Sequence, residues 1–255
     1  MTTPLYLGLA WGSPPTKPTR DAVDALIRDL PFPVLRDEEP RGGLVLARNV
    51  IATRFLVHPQ RPPHILLVDR DVAGFTAADV ERMMGAREDV VGGPLPRREL
   101  ELDRLARAFA RGVPAERLKY HCSGRLMDYG DDGHALVKGH LVAVRYVSTG
   151  FLLLSRRAIL DVAELVAQEH GQVTTLEGAP LADCFDFGRT SSGEHVGEDV
   201  AFCARWSRLD GVRKVYVDTK VALSHTGEVT FYAESIEDGF THAAAATRTS
   251  SPTSQ

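Results

Sequence analysis

His64-Ile-Leu-Leu-Val-Asp-Arg-Asp71 is the stretch on which the fold turns. Ile65 to Val68 are four consecutive apolar residues, the pattern of a strand buried on both faces of a parallel sheet. The run ends in two carboxylates one residue apart, Asp69 and Asp71, where the chain has to leave the sheet. In open α/β sheets ligands sit beyond the carboxyl ends of the strands. A hard divalent cation takes its oxygens from one or two carboxylates together with substrate phosphates. An Asp-x-Asp pair alone carries little, since 19 Asp in 255 residues give roughly one such pair by chance. Its place at a strand end supplies the meaning.

Working outward, Leu5 to Ala10 reads as a first buried strand stopped by the Gly12-Ser-Pro-Pro15 turn cluster, and Thr19 is placed to cap a helix running to Leu30. A short strand follows near Val34 to Arg36. Leu44, Ala47, Ile51 and Phe55 then recur at helical spacing before the strand that ends at Asp69. Thr76 and Asp79 are spaced as a capping box for the next helix, and Asp89 to Gly93 is a compact strand. This β-α-β-α-β-α-β order predicts an α/β fold, a mostly parallel sheet with helices on its faces. Residues 97 to 146 break the rhythm, so a single domain with an insertion or flap at about 98–146 is expected. Val147 to Leu154 restores a strand and Arg156 to His170 a helix. Gly197 opens a last helix through Trp206, and strands are expected at Lys214 to Val217 and Val221 to Leu223. The domain is expected to end near 240, with 241–255 a disordered tail lacking anything to bury.

The formal net charge of -4 and pI near 6.1 argue against wholesale electrostatic binding to nucleic acid or an anionic membrane. Locally the balance reverses: residues 97 to 125 hold eight Arg or Lys against four Asp or Glu. That excess reads either as a solvated face, with long basic side chains lying over apolar surface, or as a lid facing an anion. Three cysteines without a C-x-x-C pair indicate neither a disulfide framework nor a zinc knuckle and fit a reducing cytoplasm. Neither a signal peptide nor a membrane span is expected.

Taken in order, Leu44-Val-Leu-Ala-Arg-Asn49, Leu66-Leu-Val-Asp-Arg-Asp71, Val90-Val-Gly-Gly93, Ser148-Thr-Gly-Phe151, Gly197-Glu-Asp-Val-Ala-Phe202 and Val217-Asp through Leu223-Ser-His225 resemble the GT-A fold of metal-dependent nucleotide-sugar glycosyltransferases. The resemblance leaves 98 to 146 unmatched. It implies transfer of a sugar from a UDP- or GDP-sugar to an acceptor hydroxyl, with a divalent cation, Mn²⁺ or Mg²⁺, stabilising the departing diphosphate. It casts Asp69, Asp71 and His225 around that metal, Asp71 as the direct ligand and Asp69 acting through water or on the ribose. Ordinary loop carboxylates and a satisfied structural histidine are the alternatives. In inverting members a carboxylate at the helix start serves as base, which nominates Asp199, with Glu198 as substitute; both residues also suit helix capping. Arg48, Asn49 and Trp11 are candidates for the nucleotide, and Thr149 and Gly150 for close approach of backbone to the sugar. The acceptor is expected to be anionic, such as an acidic glycan, a lipid-linked sugar or a nucleic acid.

Two rival readings use the same residues. A dehalogenase-like phosphohydrolase also sets Asp-x-Asp after an apolar strand, using Asp69 and Asp71, but normally on its first strand. A non-catalytic nucleotide-sugar-binding module would keep the fold and lose the reaction.

Overall fold

The computed structural model describes residues 3–40, 42–128, 136–176, 178–189 and 193–228; the tail expected at 241–255 lies outside them. Eight strands make the central sheet: β1 (Leu5–Leu9), β2 (Val34–Glu38), β3 (His64–Val68), β4 (Val90–Gly92), β5 (Val137–Lys138), β6 (Leu141–Val144), β7 (Phe151–Ser155) and β8 (Val215–Asp218). Their spatial order is β2-β1-β3-β7-β4-β8-β6-β5. Only β7 and β6 run against the rest. The result is a mixed α/β domain with a large, mostly parallel sheet flanked by helices, compatible with a Rossmann-like GT-A-type fold.

Among the described residues seven helices accompany it: α1 (Lys17–Asp29), α2 (Leu44–Val57), α3 (Ala77–Gly85), α4 (Leu102–Ala110), α5 (Ala115–Leu118), α6 (Arg156–His170) and α7 (Glu198–Arg208). Because strand side chains alternate between faces, the apolar run of β3 divides its residues. Ile65 and Leu67 pack in the layer of α2, α6 and α7, whereas Leu66 and Val68 pack with α1 and α3. β1 does the same, with Tyr6 on the first side and Leu5, Leu7 and Leu9 on the second. Each such buried side chain contributes about 1.5–3 kcal/mol relative to exposure, so a strand apolar at every position needs cover on both faces. At Gly8 the cover comes too close for a side chain: a Cβ there would stand 2.6 Å from Ile51 Cγ2 of α2.

Several expectations are corrected in detail. The cap of α1 is Thr16, whose Oγ1 accepts from the Thr19 N–H, while Thr19 itself is buried inside the first turn. Thr76 and Asp79 do form a reciprocal capping box on α3. The strand expected over Val147 to Leu154 is broken: Tyr146–Val147 pairs with Met127–Asp128, Ser148 to Gly150 turn, and β7 follows. β7 then enters antiparallel between β3 and β4, so the chain's βαβ order does not make those two strands neighbours. The irregular stretch ends earlier than 146, because β5 and β6 extend the main sheet beside β8. The last strand is Ser224–His225 rather than Val221 to Leu223, and it pairs with Val72–Ala73. Gly74 permits that pairing, having φ +92 and no room for a Cβ, which would lie 2.6 Å from the Ala222 carbonyl oxygen.

Candidate functional site

The carboxyl edge of the sheet collects most of the candidates. β3 delivers Asp69 and Asp71 there, and because β7 is antiparallel its entry turn, Ser148 to Gly150, reaches the same edge. The Asp69 N–H donates to the Gly150 carbonyl at 3.0 Å. A Cβ on Gly150 would stand 3.1 Å from Asp69 Oδ2 and 2.8 Å from Leu95 Cδ2, so the glycine is what lets this turn lie against the carboxylate.

Arg48 binds the first cluster together. α2 is buried around most of its circumference, and Arg48 is only 1% exposed. Its Nη2 donates to both oxygens of Asp69, at 2.7 and 3.0 Å, and its Nη1 donates to Glu198 Oε1 at 2.5 Å. Burial works against a charge on this guanidinium, yet the carboxylates of Asp69 and Glu198 outweigh it and hold its pKa above the ordinary value. The arginine thus ties the end of β3 to the start of α7. Its Nε is buried without a hydrogen-bond partner.

Asp199 follows Glu198 in the first turn of α7, whose N-cap is Gly197. One carboxylate oxygen accepts the Val200 N–H at 2.8 Å. Burial pushes the Asp199 carboxyl upward and the neighbouring Glu198 adds to the rise, against the pull of the Val200 N–H and of Arg48. A carboxylate made more basic in this way suits proton abstraction.

Asp71 has a separate set of partners. The short pairing of Val72–Ala73 with Ser224–His225 sets His225 opposite Val72, and the Thr226 N–H donates to the Asp71 carbonyl. His225 Nδ1 lies 2.8 Å from the Pro96 carbonyl oxygen, and its Nε2 lies 3.4 Å from Asp71 Oδ1. A carbonyl only accepts, so Nδ1 carries a hydrogen, and Nε2 is the ring nitrogen that faces Asp71. Arg98 Nη1 donates to the other oxygen, Oδ2, at 2.8 Å. Burial raises the Asp71 carboxyl, but the His225 hydrogen bond and charge, with Arg98 and Arg70, outweigh it and bring the pKa below the ordinary value. Thr16, Arg70, Asp71, Arg98, Thr226 and Gly227 line a cleft of about 420 Å³ here.

The structure therefore divides the expected metal set. Asp71 and His225 stand together, while Asp69 faces Arg48, and among the described residues no group of three or more His, Cys, Asp or Glu side chains is arranged to hold a metal ion. Asn49 is occupied inside the protein: its Nδ2 donates to Asp183 Oδ1 and to the Phe185 carbonyl, and its Oδ1 accepts the Phe185 N–H. Trp11 is buried in the α1 and α3 layer with the Arg36 guanidinium 5.9 Å above its ring. Thr149 is buried in the turn beside Gly150. Sequence reasoning missed Arg98 and Arg70 as partners of Asp71. The basic excess over 97 to 125 was the signal for Arg98; the middle residue of Asp69-Arg-Asp71 was the signal for Arg70.

No protein-family model matches this sequence, and no curated protein matches it. Among solved structures the chain is similar to A197 from STIV, with 14% identity over 89% of this chain and 87% of that one at a TM-score of 0.45. It is also similar to a 4-diphosphocytidyl-2C-methyl-D-erythritolsynthase from Anaerococcus prevotii DSM 20548, with 8% identity over 96% of this chain and 99% of that one at a TM-score of 0.39.

Proposed function

We propose that this protein is a glycosyltransferase that moves a sugar from a nucleoside-diphosphate sugar to an acceptor hydroxyl with inversion, using Asp199 as base. The observation carrying this reading is the Arg48 bridge, which holds Asp69 at the end of β3 and Glu198 beside Asp199 at the start of α7 in one buried unit. It fixes the basic carboxylate relative to the sheet edge where α/β folds take their ligands.

In the proposed reaction the acceptor oxygen forms a bond to the anomeric carbon as the bond from that carbon to the diphosphate oxygen breaks. The acceptor proton passes to Asp199. Arg48 occupies Glu198, leaving Asp199 as the carboxylate of this turn whose environment favours taking a proton. Gly150 keeps the wall beside Asp69 low, and Arg70, Arg98 and Thr16 give the cleft donors suited to phosphate oxygens.

Asp71 and His225 fit a divalent cation. The carboxyl is held in its ionised form and the imidazole presents Nε2 to the same point, an oxygen and nitrogen donor pair that suits a manganese-like ion, with substrate phosphates completing the shell. When bound, such an ion supplies Lewis-acid stabilisation of the departing diphosphate.

The phosphohydrolase reading has less support, because both oxygens of Asp69, the nucleophile it needs, accept from Arg48. The test is release of nucleoside diphosphate from a panel of nucleotide sugars, with Mn²⁺, with Mg²⁺ and with chelator. Metal-stimulated release that is lost in Asp71→Asn is the expected result. Binding of nucleotide sugar without turnover would leave the non-catalytic module, and release of phosphate from simple monoesters would favour the phosphohydrolase.

A further inference from the structure

The stretch from Leu95 to Leu126, after β4, carries a feature that the transfer reading does not use. Its ends are fastened to the sheet edge and to each other: the Leu126 N–H donates to the Leu95 carbonyl, the Arg97 N–H to the Gly124 carbonyl and the Glu101 N–H to the Cys122 carbonyl, at 2.8 to 2.9 Å. Arg98 ties the same stretch to Asp71. What it displays outward is unusual for a protein surface. Leu102, Leu105 and Phe109 follow at three- and four-residue steps and so lie on one stripe of α4. Leu102 is 65% exposed and Phe109 72%, with Leu100 at 49% and Tyr120 at 58% nearby in the chain. Arg104, Arg107 and Arg111 repeat at the same steps on the other side of the helix axis, and Ala108 is the residue of α4 buried against the protein.

We propose that this platform, α4 with the flanking residues 97 to 125, docks on an anionic membrane surface, an inference independent of the transfer reading. A helix with aromatic and aliphatic residues on one stripe and arginines on the other is the form that lies in the headgroup layer, apolar side down. α4 has nine residues, too few to cross a bilayer, so it lies on the surface. The eight Arg or Lys against four Asp or Glu in 97 to 125 match the charge of acidic lipid headgroups, in a protein whose total is -4.

The same charge argues against the other occupants. A second copy meeting this face about a twofold axis would set two basic patches against each other. A nucleic-acid backbone would meet the arginines but leave Leu102 and Phe109 in water. Docking through this platform would place the cleft beside Asp71 next to the bilayer surface.

The experiment is flotation of the full chain with phosphatidylcholine vesicles, with and without phosphatidylserine, over a salt series. Expected are binding to the phosphatidylserine vesicles alone, weakening with salt, and a loss of about tenfold or more in the Leu102→Ser, Phe109→Ser double variant. Both substituted side chains are exposed, so the variant should keep the wild-type melting temperature, which is checked by circular dichroism. Absence of vesicle binding, or equal binding by the double variant, overturns the proposal. So does a concentration-dependent dimer in sedimentation that the double variant abolishes, which assigns the face to a second copy. Salt-sensitive binding of duplex or single-stranded DNA that the double variant retains, without vesicle binding, assigns it to nucleic acid.

Discussion

The two carboxylates that end β3 are one residue apart and live in different surroundings. Asp69 is locked to a fully buried arginine that also holds Glu198, a unit joining β3, α2 and α7. Asp71 faces a cleft, with the half-exposed Arg98 on one oxygen and His225 on the other. The first arrangement has no partner it can exchange without leaving a buried charge. The second holds Asp71 ionised with a partner that water can replace. One carboxylate therefore belongs to a buried frame, and the other has a partner that it can exchange, as the proposed cation binding requires.

The largest test of this contrast removes the buried partner. Arg48→Met leaves Asp69 and Glu198 facing each other without a cation, and breaking a buried pair from one side costs about 3–5 kcal/mol. Urea denaturation should show that loss, and the triple variant Arg48→Met, Asp69→Asn, Glu198→Gln should recover much of it. Arg48→Lys should fall between, since an ammonium keeps the charge but lacks the fork that reaches two carboxylates. A loss below about 1 kcal/mol in Arg48→Met would put this cluster in the class of surface pairs and dissolve the contrast.

The next test asks whether the frame serves chemistry. Asp199→Asn keeps the size of the side chain and removes its proton affinity, so the transfer rate should drop by about a hundredfold or more while binding of donor nucleotide stays within a small factor. Single-turnover kinetics beside titration of the nucleoside diphosphate separates the two effects. A variant that loses donor affinity alone would assign Asp199 to binding and leave the base to be found elsewhere.

How much of this was legible in the chain follows from which forces are local. Ile65 to Val68 announced a strand covered on both faces, because four apolar neighbours admit no solvent side. Thr76 and Asp79 announced their cap because both partners lie within one turn. The insertion of β7 between β3 and β4 had no such signal; strand order depends on which edges meet after collapse, and a buried strand reads alike in either direction. Asp69, Asp71, Glu198 and Asp199 were nominated from their places at strand and helix ends, and His225 was set beside Asp71. The Arg48 bridge was not legible, since Arg48 lies 150 residues from Glu198 along the chain, and a helix as apolar as α2 gives no sign of which face Arg48 will take. Asn49 is held by Asp183 and Phe185 for the same reason: a buried amide must find partners wherever the fold supplies them.

A subtler distinction between the carboxylates appears in the pH dependence of folding. The Asp71 carboxyl is held below its ordinary value, so its contribution is present above the unfolded pKa and is lost as pH falls through the folded one. The Asp199 carboxyl is pushed above its ordinary value, so its contribution is present below the unfolded pKa and is lost as pH rises through the folded one. Relative to wild type, Asp71→Asn should therefore become less stable, and Asp199→Asn more stable, as pH rises through the carboxylate range toward neutrality. Denaturation midpoints of the three proteins across that range give the signs directly. Parallel curves would mean that the two groups share one environment after all.

The smallest effect belongs to Arg98. Its guanidinium is half-exposed, so its pair with Asp71 resembles a surface ion pair, worth about 0.2–1 kcal/mol before screening by salt. Arg98→Ala should then shift the urea midpoint barely at all, and less still at high salt, because a Debye length of about 8 Å at physiological ionic strength already weakens an exposed contact. A loss comparable to that of Arg48→Met would show that the cleft is as rigidly built as the buried cluster. A negligible loss leaves Asp71 with a tenant that water or an incoming cation can displace at little expense to the fold, as a carboxylate that must change partners requires.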